Sequence, residues 1–286
     1  MNRTIKKTKE FLLYSLMSIL FGLVIITLCL IIGFVLKYSW GTLSFSFLFD
    51  FPKNGMTEGG IFPILVGTLL VTIISALFAI PFGIASAIYL TEYAKDTVYT
   101  RIIRLSIRNL AAVPSIVYGL FGLAIFVKTM HLGTCALSAG LTLGLLTLPT
   151  IISASEEALK TVPKTYKEGS LALGLTQWQS LYSIILPTAI PGIMTGIILG
   201  LSRALGETAP ILFTGAAFYI PKLSVNVMDP FMALPYHLFI MSTQHHDIEG
   251  VKGIAFSTAA TLLLISLLLT IIASLIRQYY KKRMTI

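Results

Sequence analysis

Apolar residues in this chain fall in long runs almost free of charge, not in the stripes of a soluble helix or the alternation of a half-buried strand. A bilayer core needs about 20 apolar residues of helix, so each run of that length reads as a membrane span. Five such runs lie between charged residues: Glu10 to Lys37, Glu58 to Glu92, Arg108 to Lys128, Lys128 to Glu156, and Lys252 to Arg277. A sixth, from about Thr188 to Ala217, differs in carrying an arginine and a glutamate, Arg203 and Glu207. The pattern predicts an all-α polytopic membrane protein with six transmembrane helices. In the second run, Pro63 and Pro81 predict a kink or an interfacial turn at its start.

Between the fourth and fifth spans lies a polar stretch, Glu156 to Pro187. Pro163 suits a helix start, where its missing N–H would be an orphan anyway, and Gly174 suits a left-handed helix end. Thr176-Gln177-Trp178-Gln179 has the spacing of a capping box. The stretch therefore predicts a helix, a tight glycine turn and a second helix ending at Leu186-Pro187.

Composition supports the membrane reading, since 56% hydrophobic residues and a mean hydropathy of +0.87 exceed what a soluble core needs. The net charge of +9 is unevenly placed. Lys and Arg cluster before Glu10, between Lys95 and Arg108, between Lys160 and Lys167, and after Arg277, while Lys37, Lys53, Lys128, Lys222 and Lys252 stand alone in the other loops. The positive-inside rule then puts both termini and the polar stretch in the cytoplasm. Spread over four segments, these cations are a topology signal first and speak against a single nucleic-acid patch. The first apolar run, roughly 26 residues long, exceeds a signal-peptide core and predicts a retained helix. Cys29 and Cys135 sit in apolar runs without disulfide or metal spacing. The outward stretch Phe218 to Gly250, with Pro221, Pro230 and Pro235, reads equally as a surface for a substrate-delivering partner or as a connecting loop.

Glu168, with Gly174 six residues on and then Ile184-Ile185-Leu186-Pro187, resembles the EAA loop of bacterial ABC importer permeases; Gly169 and Ser170 stand at that motif's two alanines. The resemblance implies a type I ABC importer permease fold. It also implies a coupling loop, at about 156–187, that docks into a separate ATPase through Glu168, Gly169, Ser170, Gly174, Ile184, Leu186 and Pro187. Arg203-Ala204-Leu205-Gly206-Glu207-Thr208-Ala209-Pro210, followed by Ile211 to Gly215, is similar to the phosphate-importer branch of that family. Val66 to Leu69 and Pro235 to Phe239 fit it more loosely. The likeness runs from about Gly59, dividing the chain into 1–58 (tail, first helix, external loop) and 59–286 (permease core). The implied partners are a second homologous, PstC-like permease, an ATPase dimer, an extracytoplasmic phosphate-binding protein and membrane lipid. The implied place is the bacterial cytoplasmic (inner) membrane. Sulfate or molybdate permeases are the neighbouring alternatives. An ion-coupled anion carrier or a channel is the alternative of another class, although neither needs a docking loop.

Candidate chemistry centres on the charged span. At 100° per residue, Gly192, Gly196, Gly200, Arg203, Ala204 and Glu207 share a face about 120° wide, with Ile193 the one bulky intruder. Leu201, Met194, Leu205 and Ile198 lie opposite. Small residues allow close helix approach and intramembrane charges avoid lipid, which predicts that this face points inward. Arg203 and Glu207, four apart, read equally as a structural clasp or as an anion pathway. A five-donor guanidinium suits an oxyanion, and a carboxylate can accept the proton that phosphate keeps near neutral pH and sulfate lacks. Ser115, Tyr118 and Thr208 are further pathway candidates, and Thr150 a weaker one. No Gly-Lys dipeptide occurs, so the chain carries no P-loop and is expected not to be an enzyme itself. No cofactor or metal is expected; His245-His246-Asp247 reads as a solvated loop.

Overall fold

The structure, a computed structural model, describes residues 3–220, 223 and 226–284. It is almost wholly helical. Helix α1 (Arg3–Ser39) leads to a short α2 (Phe45–Phe49) and a two-residue antiparallel hairpin, β1 (Pro52–Lys53) with β2 (Glu58–Gly59). Helices α3 (Phe62–Ile88), α4 (Val98–Leu110), α5 (Ser115–Gly122) and α6 (Ala136–Lys160) follow. The loop helices α7 (Lys164–Ala172) and α8 (Gln177–Ser180) precede α9 (Leu186–Gly206), α10 (Ala209–Thr214), α11 (Leu234–Thr243) and α12 (Lys252–Met284).

Five helical segments among the described residues are long and apolar enough to span a bilayer, or six if the bent pair α4 and α5 counts as one broken span. The helix expected between Arg108 and Lys128 is instead a bent pair. Helix α4 ends at Leu110, and α5, prolonged by a π turn over Leu123–Thr129, leaves at 103° to it. Pro114 is the physical reason: it has no N–H to give, and it pushes Val113 out of the helical region. Pro63 instead sits in the first turn of α3, where proline is tolerated, and the helix continues through Pro81.

Helix α6 is the centre of the bundle because its sequence lets others come close. Its glycines form holes: Gly140 faces the Ile74 side chain of α3, and Gly144 faces Phe78. Its hydroxyls fold back on their own helix, as where Thr142 donates to the Ser138 carbonyl at 2.7 Å and Thr147 to the Gly144 carbonyl at 3.0 Å. None of the most apolar window of α1 is buried by the rest of the chain, as a lipid-facing helix requires. Its end is tied down where Tyr38 stacks on Phe256 of α12.

The stretch read as an outward loop folds back into the bundle. Met232, Leu234, Ile240 and Met241 pack with Met56, Ile61 and Ile64 into the apolar cluster at the end away from the α7–α8 loop. The Leu234 N–H, free at the start of α11, donates to the Thr68 hydroxyl of α3 at 2.9 Å. His237 is buried beside the Thr258 hydroxyl, 3.3 Å away. Pro221 and Lys222 lie outside the described residues.

Candidate functional site

The loop between α6 and α9 is built as a rigid turn. At the end of α7, Gly174 adopts φ +83°, while the Leu175 N–H reaches the Ser170 carbonyl at 3.2 Å and the Gly174 N–H reaches Leu171 at 3.0 Å. Those two bonds satisfy carbonyls that a helix end otherwise leaves bare, and the left-handed residue between them suits glycine. Thr176 then caps α8 as expected: the Gln179 N–H donates to its hydroxyl at 3.2 Å, and the Thr176 N–H donates to the Gln179 side chain at 2.8 Å. Buried Ser170 pairs its hydroxyl with that of Ser180, which closes the turn. A larger side chain at Ser170 would open it.

The expectation that the second loop helix ends at Pro187 is corrected. Helix α8 runs without a break into α9 through a π turn at Leu181–Ile185, where the Leu186 N–H bonds to the carbonyl five residues back. The wider register relieves the clash a proline ring makes with the preceding turn, so Pro187 begins the membrane part of one long helix. Consequently Ile184, Leu186 and Pro187 support the loop from within the helix. Glu168, Gly169 and Gly174 are on its exposed surface. Leu173 and Trp178 stand out there too, 84% and 65% exposed, although sequence reasoning passed over them. Two large apolar side chains inside a polar loop were the available signal.

The charged span breaks where its sequence changes. Helix α9 ends at Gly206, Glu207 caps it in extended conformation (ψ 128°), and α10 restarts with Pro210 in its first turn. Glu207 therefore does not occupy the wheel position expected of a continuous helix, but it still reaches Arg203, Nε to Oε1 at 3.2 Å. The expected inward face is divided. Gly192 and Gly196 lie against Ala158 and Ala154 of α6, and Gly200 lies against Ile151, so the small residues are used in packing. Arg203, at the edge of that face, is 39% exposed on the surface of the chain, while Glu207 is only 18% exposed and lines a narrow cleft with Thr68, Thr72, Leu143 and Phe231.

Glu207 engages the Nε of the guanidinium, which leaves the two terminal nitrogens free to meet an oxyanion. Helix α5 flanks this point. Its Gly119 abuts Ala209 and Pro210, and Tyr118 lies within range of the Arg203 charge. The Tyr118 hydroxyl proton is committed to the Leu110 carbonyl at 2.9 Å, so this residue braces the α4–α5 bend. Ser115 opens α5 half-buried, and half-buried Thr208 begins α10 without capping it by its side chain. Thr150 is half-buried on α6, away from the cleft lining.

Residues 79–286 match the family described as "Binding-protein-dependent transport system inner membrane component". The chain belongs to that family. It is 32% identical over 255 residues to "Probable ABC transporter permease protein YqgI" of Bacillus subtilis (strain 168), covering 85% of this chain and 86% of the relative. It is 34% identical over 222 residues to "Phosphate transport system permease protein PstA 1" of Mycobacterium tuberculosis (strain CDC 1551 / Oshkosh), covering 77% and 71%. In fold it is similar to a chain of "Crystal structure of bacterial alginate ABC transporter in complex with alginate pentasaccharide-bound periplasmic protein", with a TM-score of 0.66, 16% identity and coverage of 95% and 96%. As an inner membrane component of an ABC importer, the chain is a permease.

Proposed function

We propose that this chain is the transmembrane permease subunit of an ATP-driven phosphate importer. One observation carries the reading: an always-charged guanidinium, 39% exposed on the surface of the chain and paired through its Nε with Glu207, sits on a membrane-spanning helix that bears no other charge. Such a charge is costly against lipid and suits a protein-lined water path that an anion crosses. The relative named as a phosphate permease supports the choice of anion, and the carboxylate beside the guanidinium suits an anion that still bears a proton.

The rest of the importer follows from the surfaces. A second, PstC-like permease covers the face that carries Arg203. The α7–α8 turn, cytoplasmic together with both termini, docks on a separate ATPase dimer through Glu168, Leu173 and Trp178. An extracytoplasmic phosphate-binding protein delivers the anion at the opposite end. The chain hydrolyses no ATP itself.

The test is reconstitution. The chain, its partner permease, the ATPase and the binding protein are co-purified and placed in proteoliposomes with ATP on the ATPase side. Labelled phosphate is then offered against sulfate and molybdate. Uptake of phosphate that requires ATP is expected. Uptake of sulfate or molybdate in preference, or phosphate movement that persists without the ATPase, overturns the proposal.

A further inference from the structure

At the loop end of the bundle a groove of about 470 Å³ is lined by charged side chains from four helices, among them Glu92, Arg104, Lys160 and Lys167. These charges are joined in sequence. On α7, Lys167 Nζ lies 2.7 Å from Oε2 of Glu92, in the π turn (Tyr89–Tyr93) that ends the second span. Two residues back, the Leu90 carbonyl accepts from Arg104 Nη2 of α4 at 2.6 Å. Arg104 Nε then approaches Glu156 Oε1 of α6 at 2.7 Å, as a charge contact whose N–H is not aligned on the oxygen, and Lys160 Nζ meets that same oxygen at 2.7 Å.

Chain connectivity explains why such a series matters. Helix α7 is joined by short links to α6 and, through α8, to α9, so any push on the loop reaches those two spans through the backbone. It has no such covalent route to α3 or to the α4–α5 bend. Yet α3 carries Thr68 and Thr72, which line the cleft that Glu207 also lines, and Gly119 of α5 abuts Ala209 and Pro210 just beyond Glu207. We infer that the series Lys167, Glu92, Arg104 and Glu156 makes α3 and the α4–α5 bend move with the docking helix, so these are positioning residues for coupling. This rests on the proposed importer function and goes beyond it.

Burial of the carboxylates separates these pairs from decoration. Glu92 and Glu156 have side chains only 13% and 9% exposed, and their partners Lys167 and Arg104 are 37% and 23% exposed. By contrast Arg101 and Asp96, at the start of the same α4, pair at 3.0 Å with both side chains more than two thirds exposed. Exposed pairs hold little and are screened by salt, whereas half-buried ones resist separation. Arg101 and Asp96 thus provide a built-in control.

The experiment measures uptake and ATP hydrolysis together in proteoliposomes of the assembled importer, and takes their ratio. Lys167→Met, Glu92→Gln and Arg104→Gln are each expected to lower the ratio of ions moved per ATP by about tenfold, in the range of allosteric couplings, with hydrolysis retained. Arg101→Gln is expected to leave both rates unchanged. The exchange Glu92→Lys with Lys167→Glu is expected to recover most of the ratio. An unchanged ratio in all three variants overturns the inference. So does loss of assembled complex in the single variants with a normal ratio in the exchanged pair, which marks the contact as purely structural. If the unaltered importer moves sulfate and not phosphate, the functional proposal fails while the ratio, read with sulfate, still tests the coupling.

Discussion

Replacing Arg203 with glutamine keeps much of the side chain's length and a hydrogen-bonding end but removes the charge. Its partner is Glu207, at 3.2 Å, with side chains 39% and 18% exposed, so the lost pair is discounted toward the surface range of about 0–1 kcal/mol. Arg203 lies in the last turn of α9, where a charge facing lipid still carries a cost that the uncharged glutamine lightens. Folding and membrane level should therefore stay near normal. Transport should not. A hydrogen bond to a charged group contributes about 1.5–3 kcal/mol, so each lost bond from the guanidinium to a passing anion slows uptake by about 10- to 150-fold. Labelled phosphate uptake in cells lacking their own importer, normalised to immunoblotted membrane protein, reads both quantities. Near-normal uptake by Arg203→Gln refutes the reasoning. So does wild-type uptake by the exchanged pair Arg203→Glu with Glu207→Arg, because a clasp survives reversal while an anion path with a carboxylate turned outward does not.

Gly174→Val places a β-branched residue at φ +83°, costing about 1–2 kcal/mol; membrane levels should hold while hydrolysis continues without uptake, and normal coupling would remove the docking role of the turn. Thr176→Ala deletes the cap of α8 and should cost about 0.5–2 kcal/mol, seen as faster hydrogen exchange over residues 177–180 with α6 unaffected. Gly196→Leu starts a side chain 2.5 Å from Ala154 Cβ and should destabilise the α6–α9 contact by about 1–3 kcal/mol, lowering the midpoint of thermal unfolding in detergent. Reporter fusions at Met1 and Ile286 should both signal cytoplasm; an external signal at either end contradicts the charge reading of the loops.

Local chemistry was legible in the residues alone. Charge-free runs marked the spans because a bilayer offers no partner for polar groups. The loop's cap and glycine turn were legible because each needs only a few neighbouring residues. The pairing of Arg203 with Glu207 followed from their separation of four, and it survived even though the helix between them ends at Gly206. Tertiary structure decided what the prolines would do. Pro114 bends a span by 103°, Pro187 is absorbed by a π turn, and Pro63 and Pro210 start helices; the same ring gives each outcome, and the packing around it selects one. It also decided which way the charged span turns. The glycines of α9 were claimed by Ala154 and Ala158 of α6, a helix more than 30 residues earlier in the chain, so the arginine at the edge of that stripe was left facing outward. No periodicity within α9 contains that fact, because it depends on which neighbour takes the small face first. The series from Lys167 through Glu92 and Arg104 to Glu156 is of the same kind: its residues are scattered over four helices, and only the assembled bundle makes them neighbours.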